Sequence, residues 1–202
     1  MRTFFILSLA TTILLIPSSN GCVHGNGNVV NIVKAECDGI KLIKSTNLPN
    51  LPASVEVVSR CDDYLFKEKE LSKALEIFVL EYSENFGLDP AILWSYLDGI
   101  KIELSIIPRV VKAAYSVDGK FIKGSVPVTG LALGPKHIWV EIKTSQIWSS
   151  SLVHELVHAV IWNENSGIHG DPDHEGKEFS GWTKKHTKFI KDLNIQLLDL
   201  GI

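Results

Sequence analysis

The chain has no surplus of positive charge: 20 Lys plus Arg stand against 23 Asp plus Glu in 202 residues, a formal net charge of −3. Nothing here would neutralise a phosphate backbone, and nucleic acid is not expected as a partner. There is no GxSxG elbow, no GxxxxGK[ST] phosphate loop and no GxGxxG opening a helix, since Gly25-Asn26-Gly27 lies in a Gly- and Asn-rich stretch. Serine-hydrolase and nucleotide-dependent readings fall away with them. Cysteine is scarce, at three residues, too few for a four-Cys zinc ribbon. What is present, 45% apolar and 21% charged residues with 15 Gly and 8 Pro, suffices for one core and excludes collagen-like, low-complexity and wholly disordered chains.

After Arg2 the run from Phe4 to Ile16 is apolar apart from Ser8, Thr11 and Thr12, and Pro17 to Cys22 follow it. That run is short for a bilayer span but suits the apolar core of a secretory signal, so residues 1–21 are expected to be removed on export. Gly21 directly before Cys22 resembles the cleavage and lipidation site of bacterial lipoproteins, which implies a lipid on Cys22 and a protein held at the cell envelope. The alternative is a periplasmic or secreted protein cut nearby. With Cys22 acylated, Cys37 and Cys61 remain as an even pair in an oxidising compartment. A disulfide between them, closing a loop with 23 intervening residues, is expected to contribute about 3 kcal/mol; the alternative is two buried thiols. Residues 22–34 read as a tether and residues 35–202 as one domain, because no repeat and no second linker follows.

Within that domain Leu71, Leu75, Phe78, Tyr82 and Phe86 form a one-faced helix ended by Gly87, and Asp89-Pro90 caps a short second helix to about Leu97. Ile102, Leu104 and Ile106 then alternate with polar partners, and Asp118-Gly119 is a hairpin signal between Val117 and Phe121. From His137 to Lys143, Ile138, Val140 and Ile142 share one face while Trp139 and Glu141 take the other. The fold class is therefore expected to be α+β, a small and largely antiparallel sheet between two helical regions.

Ser149, Ser150 and Ser151 can cap the next helix, which runs through Leu152-Val153-His154-Glu155-Leu156-Val157-His158. His154 and His158 are spaced i, i+4, so both imidazoles leave one face and can share one ion. This HExxH pattern is the signature of zinc peptidases. Neutral imidazole is a good Zn²⁺ ligand, and an ion with three protein ligands keeps a position for water. Glu155, about a quarter turn from His154, points beside the metal and is the candidate proton acceptor. The metzincin continuation is absent, with Ile161 at the position of its Gly. Third-ligand candidates downstream are Glu164, His169, Asp171, Asp173, His174, Glu175, Glu178 and His186. A new helix is expected from about Asp173, capped by Asp171 or Asp173, with Phe179, Trp182, His186, Phe189 or Ile190, and Leu193 on one stripe, placing His186 toward the core.

The HExxH turn followed by His174-Glu175-Gly176-Lys177-Glu178-Phe179 resembles SprT-like zinc metallopeptidases, over roughly Ile138 to Phe189. The resemblance implies a zincin-like fold, one Zn²⁺ ion held by His154, His158 and His174, catalysis by Glu155, and a peptide or protein substrate. It further implies that the His137–Lys143 strand is a sheet edge binding substrate as an added strand, the alternative being an ordinary core strand, with Trp139 either a subsite wall or packed on the helix. Glu178, at gluzincin-like spacing, and His169 remain rival third ligands. A non-catalytic zinc- or peptide-binding lipoprotein, and a zinc amidase acting on cell-wall peptides, are the alternative functions. Zinc content of single alanine variants separates the ligands: His174→Ala is expected to lose most bound zinc while Glu178→Ala and His169→Ala retain it, and full occupancy in His174→Ala would move the third ligand elsewhere.

Overall fold

The computed structural model describes residues 31–33, 43–60, 66–106, 109–117, 120–164 and 181–202. In chain order come strands β1 (Asn31–Val33), β2 (Ile43–Asn47) and β3 (Val55–Arg60), then helices α1 (Glu68–Phe86) and α2 (Pro90–Leu97). Strands β4 (Ile100–Ser105), β5 (Arg109–Val117), β6 (Lys120–Val128), β7 (Gly130–Gly134) and β8 (His137–Glu141) follow. A 3-10 turn (Ile147–Ser149) leads into α3 (Leu152–Glu164), and α4 (Lys184–Asp199) comes last. The fold is α+β, as expected. The segment 1–30, with the expected signal and Cys22, and Cys37 and Cys61 lie outside the described residues.

The main sheet has the order β2-β3-β4-β8-β7. Its two outer pairs are antiparallel, but β3 with β4 and β4 with β8 are parallel, so the sheet is mixed rather than largely antiparallel. The cause is in the connections. Two helices separate β3 from β4, and a hairpin plus β7 separates β4 from β8, each long enough to return the chain to its starting end. A second, three-stranded antiparallel sheet has the order β1-β5-β6. In it Val117 pairs with Lys120, and Asp118-Gly119, the expected hairpin turn, lies outside the described residues. Asn31–Val33, at the end of the segment read as a tether, pairs with β5.

Local chemistry explains the helices. Leu71, Leu75, Phe78 and Tyr82 of α1 are buried on its apolar stripe, and Gly87 closes the helix at φ 75°, donating its N–H to Ser83 O at 2.8 Å. Asp89 accepts the Ala91 N–H at 2.7 Å and Pro90 occupies the first turn of α2, where its missing N–H costs nothing. Ile100, Ile102 and Leu104 of β4 and Ile138 and Val140 of β8 share the helix-side core with Leu152, Val153, Leu156, Val157 and Val160 of α3. Every residue of α3 from Leu152 to Ile161 is buried. The helix is enclosed by β7, β8, α2 and α4, the arrangement of a central rather than a surface helix.

One lysine fastens α2 to this sheet. Lys136, in the β7–β8 turn, donates from Nζ to Ser95 O (2.9 Å), Tyr96 O (2.9 Å) and Asp98 O (2.8 Å), carbonyls at the end of α2. These groups have no intrahelical partner, and a cation suits that end of the helix dipole. Partial burial lowers the Lys136 pKa, offset in part by the Asp98 carboxylate. Lys136→Met is expected to lower the unfolding free energy by about 1 kcal/mol, after allowing for solvent screening. Urea denaturation should show this as a shifted midpoint at unchanged slope.

Candidate metal centre

The entry to α3 is set by serine hydroxyls. Ser149 Oγ donates to Gln146 O (2.8 Å), Ser150 Oγ accepts the Leu152 N–H (3.2 Å), and Ser151 Oγ donates to Thr129 O (2.7 Å), just before β7. The helix start is thereby tied to the sheet. One turn later His154, Glu155 and His158 are 8%, 0% and 1% exposed.

The two imidazoles converge. His154 Nε2 and His158 Nε2 stand 3.1 Å apart, with ring centroids at 4.9 Å and planes at 61°. Two nitrogens bound to one tetrahedral ion at about 2.0–2.1 Å would lie roughly this far apart, so the pair fits Zn²⁺. Trp182 covers the pair, its ring centroid 5.0 Å from that of His154 and 4.5 Å from that of His158. The Glu155 carboxylate packs against Gly130, the first residue of β7.

Among the described residues no group of three or more His, Cys, Asp or Glu side chains is placed to hold an ion. The described part of the centre supplies two imidazoles. His174, Glu178 and His169, the candidates for the third place, lie outside the described residues, as do Asp171, Asp173 and Glu175. The other two candidates are described and are engaged elsewhere. His186 Nδ1 accepts the Thr183 N–H at 3.0 Å, its Nε2 lies 3.2 Å from Tyr82 Oη, and Tyr82 donates to Glu164 Oε2 at 3.5 Å. Because a backbone N–H can only donate, Nδ1 is the acceptor and neutral His186 carries its proton on Nε2, facing Tyr82.

Three expectations change. The helix after the loop does not run from about Asp173 through Trp182: residues 181–183 are not helical, and α4 begins at Lys184 with Thr183 as its cap. The Thr183–His186 capping box overrides the apolar stripe, because it satisfies orphan N–H groups only if the helix starts there. Nor is the His137–Lys143 strand a sheet edge, for β8 lies between β4 and β7, and β7 is the edge. Alternation in a sequence reports which face a residue takes and not which strands flank it. Trp139, finally, is fully buried on the sheet face opposite the helices, so it is neither a subsite wall nor packed on the helix side. The expectation that His186 faces the core holds. The sequence did not single out Gly130, and Trp182 only as part of a stripe; the glycine opening a strand was the available signal.

No family model, no curated protein and no solved structure matches the chain.

Burial, and secondarily the Lys185 charge, lower the His186 pKa to about 4, while burial raises that of Glu164, with the Tyr82 hydrogen bond working the other way. Burial and then the Glu164 charge raise the pKa of Tyr82. His186 titrates near 6.5 when unfolded and near 4 when folded, so between these pH values the unfolded chain binds the extra proton. Its contribution to stability is full above about pH 6.5 and is lost as pH falls toward 4. We expect this loss to reach about 1–2 kcal/mol, discounted for partial solvent access. His186→Gln can keep the cap without a titrating group, and urea midpoints measured from pH 7 to 4 should fall less steeply in it than in the parent.

Proposed function

We propose that this protein is a zinc-dependent metalloendopeptidase, exported and tethered to the cell envelope, with the zincin-like arrangement implied by the SprT-like resemblance. The observation that carries the reading is the 3.1 Å approach of His154 Nε2 and His158 Nε2 on a buried helix that also carries Glu155. His154 and His158, with His174 as third donor, would hold the ion. Zinc, when bound, supplies Lewis-acid polarisation and makes water a nucleophile near neutral pH. The remaining chemistry belongs to the chain. Glu155 accepts the proton of the attacking water and returns it to the departing amine, and its full burial keeps bulk solvent from competing for that proton.

Substrate would enter as an added strand on β7, whose outer side pairs with no other described strand. Main-chain pairing recognises an extended peptide with little regard to its side chains. Export and the lipid on Cys22 rest on residues 1–22 of the sequence; among the described residues no helix is long and apolar enough to cross a membrane.

Glu155→Gln is the decisive variant. Metal analysis should find zinc retained, and hydrolysis of a mixed peptide library should fall by at least about a hundredfold. Undiminished hydrolysis would refute the proton-transfer role of Glu155. A parent protein that binds zinc but leaves every peptide intact would favour the non-catalytic alternative, and one that cleaves only muropeptides would favour the cell-wall amidase.

A further inference from the structure

Gly130 opens β7, the edge strand, and its φ lies outside the left-handed region, so its backbone accepts any L-residue. Space forbids one. A Cβ at this position would stand 2.2 Å from Glu155 Oε1, 2.8 Å from Glu155 Cδ and 2.4 Å from Ser151 Oγ. Gly87, Gly99 and Gly201 are the opposite case, each with a left-handed φ and nothing within 4 Å of the missing Cβ. Those glycines serve a turn of the backbone, whereas Gly130 serves a neighbour.

Neither neighbour yields easily. Glu155 is wholly buried, so its carboxylate has no solvent to swing into. Ser151 Oγ donates to Thr129 O, which also accepts the Glu141 N–H at 2.8 Å, so the hydroxyl belongs to the junction that ties α3 to the sheet. Ser151, just before α3, accepts the Glu155 N–H at its carbonyl (3.0 Å), and this i, i+4 spacing brings both side chains against Gly130.

We propose that Gly130 is the positioning residue for Glu155: its missing side chain is the notch that receives the carboxylate and holds it between α3 and the edge strand of the sheet. The catalytic consequence rests on the peptidase reading, and the packing does not.

A stability cycle tests the packing without metal or substrate. Thermal unfolding of the chelator-stripped parent, Gly130→Ala, Glu155→Ala and the double variant gives the cost of the added methyl in each background. We expect Gly130→Ala to lower Tm by at least about 4 °C in the parent and by less than half as much in the Glu155→Ala background. Gains from a stiffer unfolded chain and the contact with Ser151 are common to both backgrounds and cancel in the difference. Equal shifts in the two backgrounds, or none in the parent, overturn the proposal. Should Gly130→Ala fail to fold, pairing it with the shorter carboxylate of Glu155→Asp is expected to restore folding, and failure to do so also overturns it.

With zinc bound, Gly130→Ala should keep its metal stoichiometry and its KM within about twofold while kcat falls roughly a hundredfold, as misplacing a reacting group does. Unchanged kcat removes the positioning role. A parent that hydrolyses nothing would strike the peptidase reading alone and leave the stability cycle to decide this one.

Discussion

The structure depends on burying two imidazoles and a carboxylate on one turn of a helix that is otherwise apolar from Leu152 to Ile161. A carboxylate taken out of water costs several kcal/mol unless it is well partnered. Leu152, Val153, Leu156, Val157, Val160 and Ile161 oppose that cost, each contributing about 1.5–3 kcal/mol when fully buried. A helix enclosed on all sides cannot shift without exposing these side chains, so the core itself fixes where His154, Glu155 and His158 stand. The polar turn is thus supported by rigid elements rather than by a surface loop, the condition for holding reacting groups within a fraction of an ångström.

Aromatic rings carry that rigidity outward from the turn. Trp182 contacts both imidazoles and lies 5.9 Å from His186, which stacks on Phe86 at 4.2 Å and 15°. Phe86 stacks in turn on Tyr82 at 4.3 Å, and Phe189 meets Phe78, Tyr82 and Phe86 edge-on. The cluster joins α1 to α4 and closes one side of the histidine pair with carbon rather than water. His186 serves it twice. Its ring is part of the stack, and its Nδ1 completes the cap that starts α4. The helix start therefore decides where Trp182 falls, one residue before the cap, and the position of the wall over His154 and His158 follows from the Thr183 N–H bond to His186 Nδ1 that caps α4.

The parts legible in the sequence were those governed by local periodicity and local caps. The α1 stripe, Gly87 at its end, Asp89 and Pro90 at the start of α2, and the division of the β8 residues between two faces all depend on neighbours within about five positions. The HExxH turn belongs to the same class, since i, i+4 spacing alone places two rings together. What failed was long-range or competing. Strand direction follows from the length of the intervening chain and strand order from the packing of the whole sheet, so neither the parallel inner pairs nor the edge position of β7 was visible. Trp182 and His186 are also spaced by four, which mimics one helical stripe, yet the Thr183 cap interrupts it. The close fit of Gly130 to Glu155 joins residues 25 positions apart in the sequence and has no periodic signature.

A strand edge that pairs with no other described strand, beside a buried carboxylate, is a hazard as well as an opportunity, because unpaired main-chain groups recruit other chains. β7 limits that hazard by its form. It has five residues, and its register with β8 shifts between Ala132 and Gly134, so a second sheet meets a short and irregular template. The same features leave room for a few main-chain pairs near Gly130, where the strand is held to α3 through Thr129 O and Ser151. Under the proposed function this division is what an endopeptidase requires. A peptide paired at the anchored end would lie against a carboxylate whose place is set by the core, while the irregular end would keep pairing too short to become permanent.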